Sequence, residues 1–100
     1  MADFTLKLRS KALADLHEIR LWYHDIDPSV EMRFLSALNG CLDRILAFPF
    51  SYQIVYRNSR RALLDKFPYG VFYLIQDDRI AVLAILHLKR NLALMRKIAE

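Results

Sequence analysis

One hundred residues, 55% of them hydrophobic and carrying a formal net charge of +4, suit one compact domain over 1–100 and offer no second. Cys41 is the lone cysteine, which excludes a disulfide within the chain and fits a reducing cytoplasm. The opening "MADFTLKLRS" lacks the apolar run of a signal peptide, and no stretch approaches the ~20 apolar residues of a membrane helix, so the expected setting is soluble and cytoplasmic, with no membrane partner.

In "FTLKLRS", Phe4, Leu6 and Leu8 alternate with Thr5, Lys7 and Arg9, the pattern of a half-buried strand. Ser10 then stands where a helix N-cap belongs. Ala12, Leu16, Ile19, Tyr23 and Ile26 follow at spacings of 4, 3, 4 and 3, one face of an amphipathic helix. Asp27-Pro28 closes that helix and opens a second, with Asp27 as N-cap and Pro28 at the first helical position. The second apolar stripe runs through Val30, Phe34, Ala37, Leu38, Cys41 and Ile45, and so short a connection makes an antiparallel helical hairpin.

After Pro49, "YQIVYR" reads as a short strand and "RRALLDKF" (60–67) as a longer one. Pro68 separates the latter from "YGVFYLIQ" (69–76), rich in aromatic and β-branched residues. Asp77-Asp78 is a two-residue turn, and "RIAVLAILHLK" (79–89) returns antiparallel. Leu92, Met95 and Ile98 place a short helix over 92–99. The predicted class is α+β, a two-layer β-α-α-β-β-β(-β) arrangement with the helical hairpin packed on one face of an antiparallel sheet.

That order creates a packing problem. In "RIAVLAIL" strict alternation puts Ile80, Val82, Ala84 and Leu86 on one face and Ala81, Leu83 and Ile85 on the other, so both faces are apolar. One helical layer covers one face. The other is expected to need the C-terminal tail, a second subunit or a bound partner peptide.

The charge is uneven. Residues 1–56 hold six Lys/Arg and seven Asp/Glu, whereas residues 57–100 hold nine and four, so the basic excess lies in the second half and suits an acidic partner or a solvated basic surface. Arg57, Arg60, Arg61 and Lys66, then Arg79, Lys89 and Arg90, fall near strand ends, where they are expected to converge on one edge or face. Tyr52, Tyr56, Tyr69 and Tyr73 lie among them. Arg and Lys hold phosphates and Tyr stacks or donates a hydrogen bond, while charged strand edges also discourage aggregation.

Other chemistry is largely excluded. The two glycines, Gly40 and Gly70, cannot supply a phosphate-cradling loop or a dinucleotide fingerprint, and no cofactor is expected. His17 and His24 are separated by ~10 Å of helix rise, too far for one ion, so no metal is expected. Cys41 falls on an apolar stripe, and capping explains Asp25 and Asp27 better than acid–base work. His87 alternates with Leu86 and Leu88 near a strand end, which favours an edge or hydrogen-bonded structural role; it is the one catalytic candidate.

The element order, closed by "RRALLDKFPYGVFYLIQDDRIAVLAILHLKR", resembles the RelE/ParE superfamily of type II toxin–antitoxin toxins over roughly residues 4 to 91, and is closer to the ParE-like branch. The resemblance implies a toxin neutralised by a ParD-like or similar cognate antitoxin that covers apolar surface and basic residues. ParE-like members poison DNA gyrase. RelE-like members are ribosome-dependent endonucleases that cut messenger RNA, many with a terminal Tyr or His, and segment 91–100 contains neither. A relative that binds antitoxin without being toxic is the third alternative. On this resemblance the contacts to target or nucleic acid are Arg60, Arg61, Lys66, Arg79, His87, Lys89 and Arg90. Those to antitoxin are Leu16, Tyr23, Tyr73, Leu83 and Ile85.

Overall fold

A computed structural model describes residues 3–89; Arg90 and the helix expected over 92–99 lie outside the described residues. Strand β1 (Thr5–Leu8) keeps the expected alternation, with Leu6 and Leu8 packed on the core and Thr5 and Lys7 exposed. Helix α1 (Ser10–Ile26) has Arg9 at its N-cap position and no side-chain cap there, so Ser10 is its first helical residue rather than its cap. Ala12 and Ile19 are buried, Leu16 and Tyr23 half-buried, and Ile26 is left exposed at the helix end.

The turn into α2 (Pro28–Ala47) forms as the residue types dictate. The Asp27 carboxylate accepts the Ser29 N–H at 2.8 Å, satisfying one of the orphan donors of the helix start, and Pro28 gives up an N–H that had no partner to lose. Those Ser29 hydrogen bonds hold the Asp27 carboxyl below its ordinary range. Glu31 ties the hairpin together, accepting from Arg20 Nε at 2.8 Å and meeting His24 Nδ1 at 3.0 Å. Arg20 first, then His24, lowers the Glu31 pKa. His24 thus lies at the edge of the hairpin. On its inner side α2 buries Phe34, Leu38, Cys41 and Ile45.

Among the described residues five strands make one sheet in the order β1-β5-β4-β3-β2, with β2 at Ile54–Tyr56, β3 at Ser59–Leu63, β4 at Tyr69–Gln76 and β5 at Arg79–His87. All neighbours are antiparallel except β1 and β5, which run parallel with Thr5 opposite Arg79 and Leu8 opposite Val82. The first described strand therefore lies beside the fifth. It has one apolar face and suits an edge, whereas β4 and β5, apolar on both faces, occupy the interior. Asp77 takes the left-handed backbone (φ 56°) that the β4–β5 turn needs, a conformation a short polar side chain tolerates.

Two further features depart from the sequence expectation, beyond the uncapped start of α1, exposed Ile26 and the parallel pairing of β1. The strand expected over 60–67 stops at Leu63. Lys66 turns to φ 66° and Tyr69 N–H bonds back to Phe67 O at 2.8 Å, which brings Leu64 and Phe67 onto the helix-side core. There Tyr23, Phe34, Phe67 and Tyr69 pack largely edge to face, with Phe34 5.6 Å from both Phe67 and Tyr69.

The second departure is a β-bulge. Phe72 pairs with Ala84 but Tyr73 pairs with Val82, so Leu83 has no partner on β4. One extra residue inverts the alternation beyond it. Ile80, Val82 and Ile85 therefore share the helix-side core, while Ala84 and Leu86 join Phe72 on the opposite face, against Val55 of β2. Strict alternation had grouped Ala84 and Leu86 with Ile80 and put Ile85 opposite; the bulge reverses both placements. Phe72, Ala84 and Leu86 are no more than 5% exposed, and the open part of that face reduces to half-buried Leu74, Ala81 and Leu83 with exposed Leu63.

Candidate functional site

Among the described residues, the cations that the sequence singled out do not converge on one edge or face. Adjacent on a pleated strand, Arg60 and Arg61 point to opposite faces. Arg60 Nη1 donates to Phe50 O at 3.1 Å and to Tyr52 O at 2.6 Å, and its guanidinium lies over the Phe50 ring. It holds the chain that enters the sheet. Arg61 lies on the other face with its stem over Gly70, where an added Cβ would come within 3.2 Å of Arg61 Cγ, so glycine makes room for it. Arg57, with φ 48°, stacks on Tyr56. Arg79 begins β5 and His87 ends it, about 26 Å apart along a 9-residue strand.

What does gather is smaller. Leu88 N–H bonds to Pro68 O at 2.9 Å and His87 pairs with Tyr69, so Lys66, His87 and Lys89 share one end of the sheet. His87 Nδ1 accepts the Lys89 N–H at 3.1 Å, and the neutral ring then carries its proton on Nε2. The ring meets Tyr69 edge to face, with centroids 5.2 Å apart. These contacts hold the His87 ring at the end of β5.

Two grooves flank the helical hairpin, and they differ in charge. On the α1 side a cavity of about 490 Å³ is walled by Asp15, Glu18, Asp25 and Trp22 with Tyr69 and His87. Asp15 sits where β1 no longer covers β5, accepting the Ile85 N–H at 3.0 Å and Lys11 Nζ at 2.6 Å. On the α2 side a cavity of about 620 Å³ is bordered by Arg33, Arg44 and Lys66 against the single carboxylate of Asp65.

The expected antitoxin contacts divide. Tyr73 is fully buried, its hydroxyl donating to Pro49 O at 2.7 Å, and burial pushes its phenol up to about 12 while nearby Arg60 acts the other way. Ile85 is 2% exposed on the helix side. Neither offers surface to a partner. Leu16 and Tyr23 are half-buried against the core, and Leu83 is half-buried at the bulge. Leu16 and Tyr23, the two residues of the α1 stripe that the resemblance assigned to antitoxin, pack with Ala12 and Ile19 of that stripe against the core. Cys41 is buried, which pushes its thiol up against the opposing pull of Arg44. Among the described residues no three His, Cys, Asp or Glu side chains gather as a metal set, and no described helix is long and apolar enough to cross a membrane.

A family model described as the ParE toxin of the type II toxin–antitoxin system parDE matches residues 6–92. The chain belongs to the ParE toxin family. Among solved structures it is similar to the "Chromosomal ParDE TA system from P. aeruginosa", with a TM-score of 0.74 and 19% identity over 89% of this chain and 100% of that chain. At that identity the likeness speaks to the ParE fold of two helices against a mostly antiparallel sheet. A search of curated proteins found no match.

Sequence reading missed several members of both grooves. Trp22, 54% exposed beside the carboxylates of α1, lies off the apolar stripe, and so do Arg33 and Arg44 on α2. Their signal was a large aromatic outside the 3–4 pattern and paired cations on one flank of a helix.

Proposed function

We propose that this ParE-family chain acts in the cytoplasm as a binding toxin that poisons DNA gyrase and is held inactive by a cognate antitoxin. The dispersal of the cations that the resemblance names carries the reading. Arg60 is committed to two backbone carbonyls, Arg61 lies on the opposite face, and Arg79 stands at the far end of β5 from His87. A nuclease needs several cations around one phosphate to stabilise the charge that develops during cleavage, whereas a protein contact is served by cations spread over a surface. Lys66, His87 and Lys89, at one end of the sheet, are the best-grouped target contacts, with Arg61 and Arg79 outlying and Arg90 next in sequence.

Purified protein added to a gyrase supercoiling assay is expected to abolish supercoiling and accumulate cleaved DNA. Untouched gyrase at a large excess of protein refutes the reading. Messenger RNA cut only when ribosomes and protein are both present would instead establish the RelE-like endonuclease. Unchanged growth on induced expression would mark a relative that only binds antitoxin.

A further inference from the structure

Between α2 and β2 the chain reads "FPFSYQ", residues 48–53, and the backbone of this connection is tied down along its length. Phe48 O accepts from the Ser51 N–H at 3.2 Å and from Ser51 Oγ at 2.8 Å. Pro49 O accepts from the buried Tyr73 hydroxyl, and Phe50 O and Tyr52 O both accept from Arg60 Nη1. Gln53 O accepts the Arg61 N–H at 3.1 Å. Pro49, second in the Phe48–Ser51 turn, adds a fixed φ to these bonds.

The same segment leaves two rings outside. Phe48 is 68% exposed and Phe50 62%. Phe50 meets Phe4 edge to face, with centroids 6.2 Å apart, and the Arg60 guanidinium lies over it at 5.4 Å. At ~200 Å² for a whole ring, the pair presents roughly 250 Å² of apolar surface. Carbonyl bonds hold the loop, so its fold does not depend on covering the rings. Their backbone is ordered before any partner arrives, which lowers the entropic cost of docking, and rigid aromatics dominate the energy of protein interfaces. Neither groove beside the helical hairpin is lined by residues 48–53.

Charge narrows what the rings can meet. Arg60 makes both of its carbonyl bonds through Nη1, and among the described residues its Nε and Nη2 N–H groups have no acceptor. That edge of a guanidinium matches the two oxygens of a carboxylate. A ring driven between base pairs needs cations around it for the flanking phosphates, and residues 48–53 contain neither Lys nor Arg.

We propose that Phe48 and Phe50 are the apolar anchor with which this toxin docks on gyrase. They enter an apolar pocket of the enzyme that carries a carboxylate at its rim for Arg60. This rests on the gyrase reading above and supplies what dispersed cations lack. Charges spread over a surface steer an encounter, whereas desolvated aromatic anchors hold it.

The test titrates the purified full-length chain into a gyrase supercoiling assay and reads the concentration that halves supercoiling. Phe48 makes no ring contact among the described residues, so Phe48→Ala probes the anchor while leaving the packing intact. It is expected to raise that concentration at least ~5-fold, and Phe48→Ala with Phe50→Ala at least ~30-fold. Leu13→Ala removes another exposed apolar side chain, on α1, and stays within ~2-fold of the parent. Phe48→Ala keeps the parent's thermal midpoint, and both Phe variants bind the small protein encoded in the adjacent reading frame as the parent does. Affinity for gyrase without DNA falls by the same factors. A wild-type chain that inhibits gyrase while both Phe variants inhibit equally well overturns the anchor and spares the gyrase reading. Phe variants that lose the adjacent protein to the same degree overturn the anchor as well. A loss confined to reactions containing DNA makes the rings a wedge between base pairs and overturns the protein pocket. Gyrase left untouched by a large excess of the wild-type chain overturns both readings.

Discussion

Replacing Tyr73 with Phe removes one buried oxygen and changes no other atom of the packing. In the wild-type protein that hydroxyl is fully buried and donates to Pro49 O at 2.7 Å, pinning the chain between α2 and β2 to the middle of the sheet. Without it the Pro49 carbonyl loses its partner in a residue that is itself buried, which costs about 1–3 kcal/mol. Phenylalanine returns part of this because it has no hydroxyl to desolvate, so the net loss is about 1–2 kcal/mol. At ~4–8 °C per kcal/mol for a chain of this size, the thermal midpoint falls by roughly 5–15 °C. An alkaline titration separates this cause from simple repacking. Burial raises the Tyr73 pKa from 10.0 to about 12, so the neutral phenol's contribution is complete below pH 10 and drains away as pH rises towards 12. Each pH unit between those two values is worth ~1.4 kcal/mol, so the loss has a ceiling of about 3 kcal/mol. Urea denaturation at steps from neutral pH to 12 should therefore show the gap between wild type and variant closing within the window and then reversing. A gap that stays constant there, or a variant as stable as wild type at neutral pH, refutes the reasoning. The same variant should bind antitoxin within ~2-fold of wild type, because a fully buried side chain offers a partner no surface.

Arg60→Ala removes two bonds to carbonyls and a stacking contact, and is expected to cost about 1–2 kcal/mol in urea unfolding. Asp15→Ala exposes the Ile85 N–H past the end of β1 and is expected to cost about 1–2 kcal/mol; Asn keeps an acceptor oxygen and should lose less than half as much. Hydrogen exchange at the Ile85 amide, accelerated in the alanine variant and not in the asparagine one, checks this directly. Cys41, buried and with its thiol pushed up, should react with a thiol reagent only as fast as the protein opens, so its labelling rate should rise in step with destabilisation by Tyr73→Phe.

Local chemistry made much of this molecule legible. The 4-3-4-3 spacing of α1, the Asp27-Pro28 junction and the Asp77-Asp78 turn each depend on residues adjacent in the chain, and each forms as expected. The dispersal of the cations was legible in part. Neighbours such as Arg60 and Arg61 must face opposite ways on a strand, but which of them meets the helices depends on pairings many residues distant. The same limit hid the grooves: Arg33, Arg44 and Lys66 meet only once the β3–β4 loop is folded beside α2.

What the sequence determined by itself is the order and type of the elements and the burial of one stripe on each helix, because helical and strand periods are local properties of the backbone. What only the tertiary structure decided is the place of β1 beside β5 and the fate of "AVLAILH". In that run Leu83, Ala84, Ile85 and Leu86 are all apolar, so either register satisfies the hydrophobic pattern and no local signal marks the bulge. Pairing with β4 selects the register that sends Ile85 inward and Ala84 and Leu86 to the far face. A slip of one residue reverses a strand's faces, and only its partners can fix where the slip occurs.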